Sequence, residues 1–314
     1  MSQAGGQIAI DARAVTRHFG GLAAVSEVSL SIKRGEIFGL VGPDGAGKTT
    51  LMRMLAGLLR PDAGAVTLDG VDVLADPEAA KSRLSYMPQR FGLYEDLTVD
   101  ENIFFYAELF GVARKARQAR AAELLEAAGM APFRRRLAGK LSGGMKQKLG
   151  LVCALIHTPA VLLLDEPTTG VDPVSRRDFW GILYNLRESG VTILFSTAYM
   201  DEAERCSRLA LMHAGRVHDC DTPARLKRNM PGALLAIAAP DPRAIRAALA
   251  GAPGVLGMLL KGDHVNLRAD SAGRMAEFAG RLRAQGVAYS GIAQVEPGIE
   301  DVFVALTGDD GSAA

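Results

Sequence analysis

Apolar residues fall into two periods along the chain. Short runs bounded by turn residues predict strands, and longer stretches with apolar positions three and four apart predict helices. IAIDARAV and VSEVSLSI, either side of HFGGLAA, predict a small antiparallel sheet over residues 8–34, and IFGLV at 37–41 predicts a buried strand. TTLMRMLAGLL follows, with Leu51, Met54, Leu55 and Leu58 at helical spacing. RPDAG is a turn, AVTLDGVDV a hairpin, and YMPQ a short strand leading to Gln89. From Thr98 to about Gly139, VDENIFFYAELFGV and ARQARAAELLEAAGM predict an inserted helical subdomain, and Ser142, Gly143 and Gly144 open another helix. AVLLLDEP and VTILFST predict further buried strands, AYMDEAERC a helix, and RLALMHAGRVHDCD a hairpin turning at Ala-Gly, with Asp172 set in a tight turn between the two strands. Strands alternating with helices imply a largely parallel sheet covered on both faces.

At residues 229–232 the composition changes, and a strand, a helix, a hairpin, a helix, a strand and a short helix follow. That order predicts a small α+β, ferredoxin-like domain. The expected organisation is therefore a mixed α/β domain over 8–228, with its helical subdomain at about 98–139, an accessory domain over 229–308 and a disordered tail at 309–314.

Composition adds limits. The chain has 314 residues and is 48% hydrophobic, enough for a large core. No run approaches the roughly 18 apolar residues of a membrane span. MSQAGGQIAIDAR has no basic segment followed by an apolar one, so the sequence predicts a soluble, cytoplasmic protein without a secretory signal. Cys153, Cys206 and Cys220 are scattered, which argues against a disulfide framework. A formal net charge of +1 offers no field for a polyanion, so no nucleic-acid partner is expected. The arginines at 114–120 and 134–136 read as solvated helical faces. Cys206, His213, His218 and Cys220 match no common zinc spacing.

The candidate chemistry centres on VGPDGAGKTT, which fits the phosphate-binding pattern G-x-x-x-x-G-K-[ST] through Gly42, Gly47, Lys48 and Thr49. Gly42, Gly45 and Gly47 let the backbone N–H groups turn inward, and the helix start adds partial positive charge beneath a polyphosphate. Lys48 is placed to reach the outer phosphates, and the Thr49 hydroxyl is left for Mg²⁺. The helix start at Ser142 to Gly144 is a second anion site, weak on its own. Asp165 and Glu166 end a buried strand, where one is suited to hold Mg²⁺ through water and the other to polarise the attacking water. Alone, such a pair before Pro167 is also an ordinary helix start. Phe19, in the turn upstream, is either a structural aromatic or a ring to stack on a base.

These motifs occur in an order that resembles the ATP-binding subunit of ABC transporters over residues 8 to about 225. Gly42, Pro43, Asp44, Gly45, Ala46, Gly47, Lys48, Thr49 and Thr50 resemble the Walker A loop, and Gln89 resembles the Q-loop glutamine. LSGGMKQ, with Ser142, Gly143, Gly144 and Gln147, resembles the signature, VLLLDE resembles Walker B, and Asp172 resembles the D-loop acid. The resemblance implies ATP and Mg²⁺ as ligands, with Phe19 against adenine and Thr49, Gln89 and Asp165 about the metal. It gives the catalytic roles to Lys48, Gln89 and Glu166. It also implies a head-to-tail dimer in which Ser142 and Gly144 of one ATPase domain close on the γ-phosphate held by Lys48 of the other.

Within that family, FGLYEDLTVDENIFFYAELFGV and the C-terminal EPGIEDVFVALTG resemble ABC-2 exporters of the daunorubicin-resistance type, which implies drug-like or hydrophobic cargo. VGPDGAGKTTLMRMLAGLL, YMPQRFGLYEDLTV and LAGKLSGGMKQKLGL are most similar to the first half of tandem multidrug-exporter ATPases. The implied partners are an ABC-2 permease, docking beside Gln89 and Arg90 to Thr98, and a second ATPase domain. A heterodimer is favoured and a homodimer is possible. The implied location is the cytoplasmic face of the cell membrane. One departure stands out: Ala198 occupies the place of the family's switch histidine, so turnover is expected to be reduced. The rival reading is an ATP-binding, weakly hydrolysing regulatory or structural partner of a second ATPase.

Overall fold

The computed structural model describes residues 7–308. The tail expected at 309–314 lies outside the described residues, as does the segment before Gln7. The chain divides into two compact units between Val217 and His218, earlier than the composition change at Asn229.

The first unit opens with β1 (Ile8–Phe19), β2 (Leu22–Lys33), β3 (Ile37–Val41), α1 (Lys48–Leu55), β4 (Ala63–Leu68), β5 (Val71–Asp72), α2 (Pro77–Lys81) and β6 (Leu84–Met87). Next come α3 (Val99–Leu109), α4 (Arg114–Ala127), α5 (Gly143–Leu155), β7 (Val161–Asp165), α6 (Pro173–Glu188), β8 (Thr192–Thr197), α7 (Met200–Ala203) and β9 (Arg208–His213), and then β10 (Arg216–Asp221), within which the division falls. Strands β2–β1–β4–β5 make the antiparallel sheet, and β10–β9–β3–β8–β7–β6 the larger one. In the larger sheet β3 pairs in parallel with β8 and β9, and β7 pairs in parallel with β6 and β8. Every residue of β3, β7 and β8 is buried, as strands covered on both faces require.

The predicted hairpins and helical insertion are present, and α6 is a helix that is not among the predicted elements, although Phe179, Trp180 and Leu183 lie at helical spacing. Its face Phe179, Trp180, Ile182 and Leu183 is buried, while PVSRRD at its start is polar enough to read as a continuation of the Asp172 turn. Asp172 is in fact the N-cap of α6. Of the inserted helices, α4 starts at Ala113 without a side-chain cap, whereas α3 is capped. Thr98 and Glu101 form a reciprocal capping box for α3, and Phe110 closes it.

The second unit contains α8 (Pro223–Asn229), β11 (Ala233–Ala238), α9 (Pro242–Leu249), β12 (Val255–Lys261), β13 (His264–Ala269), α10 (Met275–Ala284), β14 (Gly291–Gln294) and α11 (Ile299–Thr307). Its sheet runs β12–β13–β11–β14, with every neighbouring pair antiparallel. This is the ferredoxin-like βαββαβ order. Leu235, Ile237, Val265 and Leu267 from the sheet pack with Ile245, Leu249, Phe278 and Leu282 from α9 and α10. Helix α8 belongs to this unit because it packs on α11.

Candidate functional site

A cavity of about 460 Å³ opens where β3 passes into α1, lined by Asp44 to Thr50, Gln89 and Glu166, with Leu22 to Ala24 and Ala214–Gly215 on its far side. The loop between β3 and α1 can take this shape only with glycine at certain places. Gly47 has φ +102°, and a Cβ there would lie 2.3 Å from the Ala24 carbonyl oxygen. Gly47 is also the N-cap of α1, and no side chain closes that helix start, so its first N–H groups remain for a ligand.

Lys48 is almost fully buried beneath this loop. Its Nζ donates to the carbonyl oxygens of Gly42 at 2.8 Å and Pro43 at 2.9 Å, and it pairs with Glu166 Oε1 at 2.9 Å. The amine is thus aimed and charge-balanced in one place. Glu166 receives a second contact from Gln89 Nε2 on Oε2, at 3.2 Å. Its backbone has φ +49°, a conformation that side-chain-bearing residues seldom adopt and that tends to be retained at functional sites.

Asp165 is 1% exposed and is held on both oxygens. Oδ1 accepts from Thr49 Oγ1 at 3.1 Å and Ser196 Oγ at 2.8 Å, and Oδ2 accepts from the Tyr86 hydroxyl at 3.0 Å. Ser196 Oγ in turn accepts from the Glu166 N–H at 3.0 Å, linking the two acids through the end of β8. Burial, reinforced by the Asp165 charge, pushes the Tyr86 phenol well above its usual range, so it stays a donor. Tyr86 and Ser196 were missed by sequence reasoning. The signal was faint, since each is one of several polar residues in a short buried strand.

The oxygen-rich set Thr49 and Asp165 suits a hard cation such as Mg²⁺. Among the described residues no group of three or more His, Cys, Asp or Glu is placed to hold a metal, so phosphate oxygens and water would have to complete the shell.

The other expected residues lie elsewhere. Phe19, 49% exposed, sits at the β1–β2 turn paired with Leu22, and the Arg17 guanidinium lies 5.1 Å from its ring centroid. Leu22, not Phe19, lines the cavity. Ser142 caps α5 by accepting from the Met145 N–H, and with Gly143 it is exposed. Gly144 is buried, where a Cβ would come 2.5 Å from Ser175 Oγ. Gln147 Oε1 is buried without a hydrogen-bond partner. None of these signature residues lines the cavity. Asp172 accepts from the Ser175 N–H at 2.9 Å, and that bond holds its carboxyl below the usual aspartate range. Ala198 follows β8, no histidine lines the cavity, and the neighbouring Tyr199 ring lies under the Arg176 guanidinium at 4.4 Å.

The family profile described as ABC transporter matches residues 25–169. The probable multidrug ABC transporter ATP-binding protein YbhF of Escherichia coli (strain K12) is 45% identical over 92% of the chain, and the chain spans 50% of that relative's length. The daunorubicin resistance ATP-binding protein DrrA3 of Streptomyces coeruleorubidus is 35% identical, with 96% of each chain covered. A solved ATP-binding subunit of an ABC transporter superposes with a TM-score of 0.64 at 29% identity, covering 70% of this chain and 92% of its own. With the glycine loop, buried lysine and paired acids in this arrangement, and a relative matching nearly end to end, the chain belongs to the ATP-binding proteins of ABC transporters.

Proposed function

We propose that the chain binds and hydrolyses Mg·ATP and so powers an ABC-2-type exporter of drug-like or hydrophobic compounds. The observation that carries the reading is Lys48, buried beneath the glycine loop and charge-balanced by Glu166 at the mouth of the cavity. An entering polyphosphate would take the place of Glu166 as counter-charge to the lysine. The freed Glu166, with Gln89 beside it, would then face the water that attacks the γ-phosphate. Bound Mg²⁺ would neutralise charge on the phosphates, with Thr49 as its protein ligand and Asp165 reached through water. Phe19 remains the proposed adenine contact. The drug-resistance names of the relatives support the cargo class.

In this reading the chain is peripheral on the cytoplasmic face of the membrane. No helix among the described residues is long and apolar enough to cross a bilayer. Tyr94, 48% exposed and edge-on to Phe105, is the most accessible aromatic of the proposed docking segment, whereas Phe91 packs on Tyr106. A second ATPase domain, favoured as a different chain, would bring its signature to this cavity. The direct test is titration of a fluorescent ATP analogue with Mg²⁺. Lys48→Ala should reduce affinity about a hundredfold or more, because the charge that replaces phosphate hydration is gone. Unchanged affinity in a folded variant would sink the assignment.

A second reading, an ATP-binding but weakly hydrolysing partner, is favoured by Ala198 alone. It differs in turnover, not in binding.

A further inference from the structure

Behind the cavity, a carboxylate with no place in the reaction just described gathers the loops that build it. Glu202, at the short helix α7, is fully buried. Its Oε2 accepts from Thr168 Oγ1 at 3.0 Å and Thr197 Oγ1 at 2.7 Å. Its Oε1 accepts from Trp180 Nε1 at 3.2 Å and lies 3.7 Å from Arg176 Nε. A buried charge persists only where donors replace its water, and here donors from three separate segments do so.

Those segments are the ones the chemistry needs in register. Thr168 lies just beyond Glu166, in a tight turn where the Thr169 N–H donates to the Glu166 carbonyl and the Val171 N–H to that of Thr168. This turn leads directly to Asp172. Thr197 ends β8, and its carbonyl accepts from the Gly42 N–H at 3.2 Å, at the start of the phosphate loop. Trp180 and Arg176 come from α6, which Asp172 caps. Glu166 itself holds a left-handed backbone, which survives only where its surroundings over-determine it.

We infer that Glu202 is a positioning residue for hydrolysis, fixing the turn that carries Glu166 and Asp172 against the end of β8 and the phosphate loop. This rests on the ATPase reading for its effect on turnover, but not for its effect on the loop. Thr168 and Thr197 are its working contacts. This tie adds to the contacts by which Lys48, Gln89 and Ser196 hold Glu166.

The test compares Glu202→Ala and Glu202→Gln in the full chain by phosphate release and by hydrogen–deuterium exchange of residues 166–172. In Glu202→Ala, exchange there should rise about tenfold or more, and kcat should fall tenfold to a hundredfold, roughly the effect of a small misplacement, while the KM for ATP stays within about threefold. Glutamine keeps the shape and an acceptor, so Glu202→Gln should recover most of both. If Glu202→Ala does not fold, Thr168→Val and Thr197→Val each remove one donor and should loosen the same segment. Unchanged exchange in the folded alanine variant, or in both valine variants, overturns the inference, as does a glutamine variant no better than alanine. If the wild-type protein binds ATP yet releases no phosphate, the hydrolysis reading fails, and the exchange comparison still decides the role of Glu202.

Discussion

The phosphate-loop side and the signature side of the first unit are built to different degrees of completion. Around Lys48, the polar side chains already have partners within the chain, and only the loop's uncapped helix start is left for a ligand: Thr49, Asp165, Ser196, Tyr86, Glu166 and Gln89 are joined in one network. Around Ser142 the opposite holds. The helix start is exposed, its hydroxyl is spent on the Met145 N–H, Gln147 Oε1 has no partner, and nothing from this segment reaches the cavity. A surface with a helix start and free backbone donors, set apart from the site it serves, is what a contribution to another molecule's site would look like. Under the proposed function the difference makes binding and turnover separable: the first side would suffice for affinity, and the second would matter only once a second ATPase domain is present.

Ser142→Asp should break the signature side without disturbing the loop side. Aspartate caps helices as well as serine does, so α5 keeps its start, but its charge would face the γ-phosphate of the partner site. ATP affinity measured on the isolated chain should stay within about twofold, while steady-state phosphate release by the assembled complex should fall about a hundredfold. Equal losses in both measurements would mean that the two sides are not separable. Ala198→His is the smaller and opposite change. If the missing imidazole limits this site, restoring it should raise phosphate release about tenfold with little change in affinity. A purified wild-type chain already turning over as fast as its complex, with no gain from histidine, would remove the reason to favour a heterodimer.

The two sides also differ in how far they could be read from the sequence. The loop side was legible because its chemistry depends on spacing. Gly42, Gly47, Lys48 and Thr49 fall within one short stretch, and with that loop upstream a buried apolar run ending in Asp165 and Glu166 points to the metal and water of the same site. The ferredoxin-like order of the second unit was legible because its strands and helices alternate with clear turn signals. What escaped reading was tertiary. Helix α6 is the exception, since Phe179, Trp180 and Leu183 lie at helical spacing behind its polar first turn yet belong to no predicted element. Tyr86 and Ser196 act only through contacts made across parallel strands, which no local pattern encodes. Glu202 looked like one more acid in a charged helical segment, and only burial singles it out. The compact units divide between Val217 and His218, before the composition change at Asn229, and α8 packs on α11 within the second unit.

The smallest expected effect concerns how α3 and α5, the latter opening at the signature, are held on the sheet that carries the loop. His157 follows α5, stacks on Phe110 at 4.0 Å at the end of α3, and places Nε2 3.3 Å from the Leu84 carbonyl oxygen at the start of β6. It therefore touches both sides. In the neutral ring Nε2–H donates to that carbonyl, while Nδ1 is buried without a partner. Protonation would add a charged N–H with nothing to receive it, and burial accordingly holds the imidazole below its ordinary value of 6.5. Because the folded pKa is depressed, the unfolded chain takes up the proton first as pH falls. The stability linked to His157 is complete above the unfolded value and is lost as pH drops through the folded one. A single proton sets a ceiling of about 1.4 kcal/mol per pH unit on the slope, and the partial exposure of the ring keeps the effect to a fraction of that. Thermal melts between pH 8 and pH 5 should show the wild type losing more stability than His157→Gln, which keeps a donor for Leu84 but cannot titrate. Parallel losses in the two proteins would show that this contact is not what ties the signature side to the loop side as the medium acidifies.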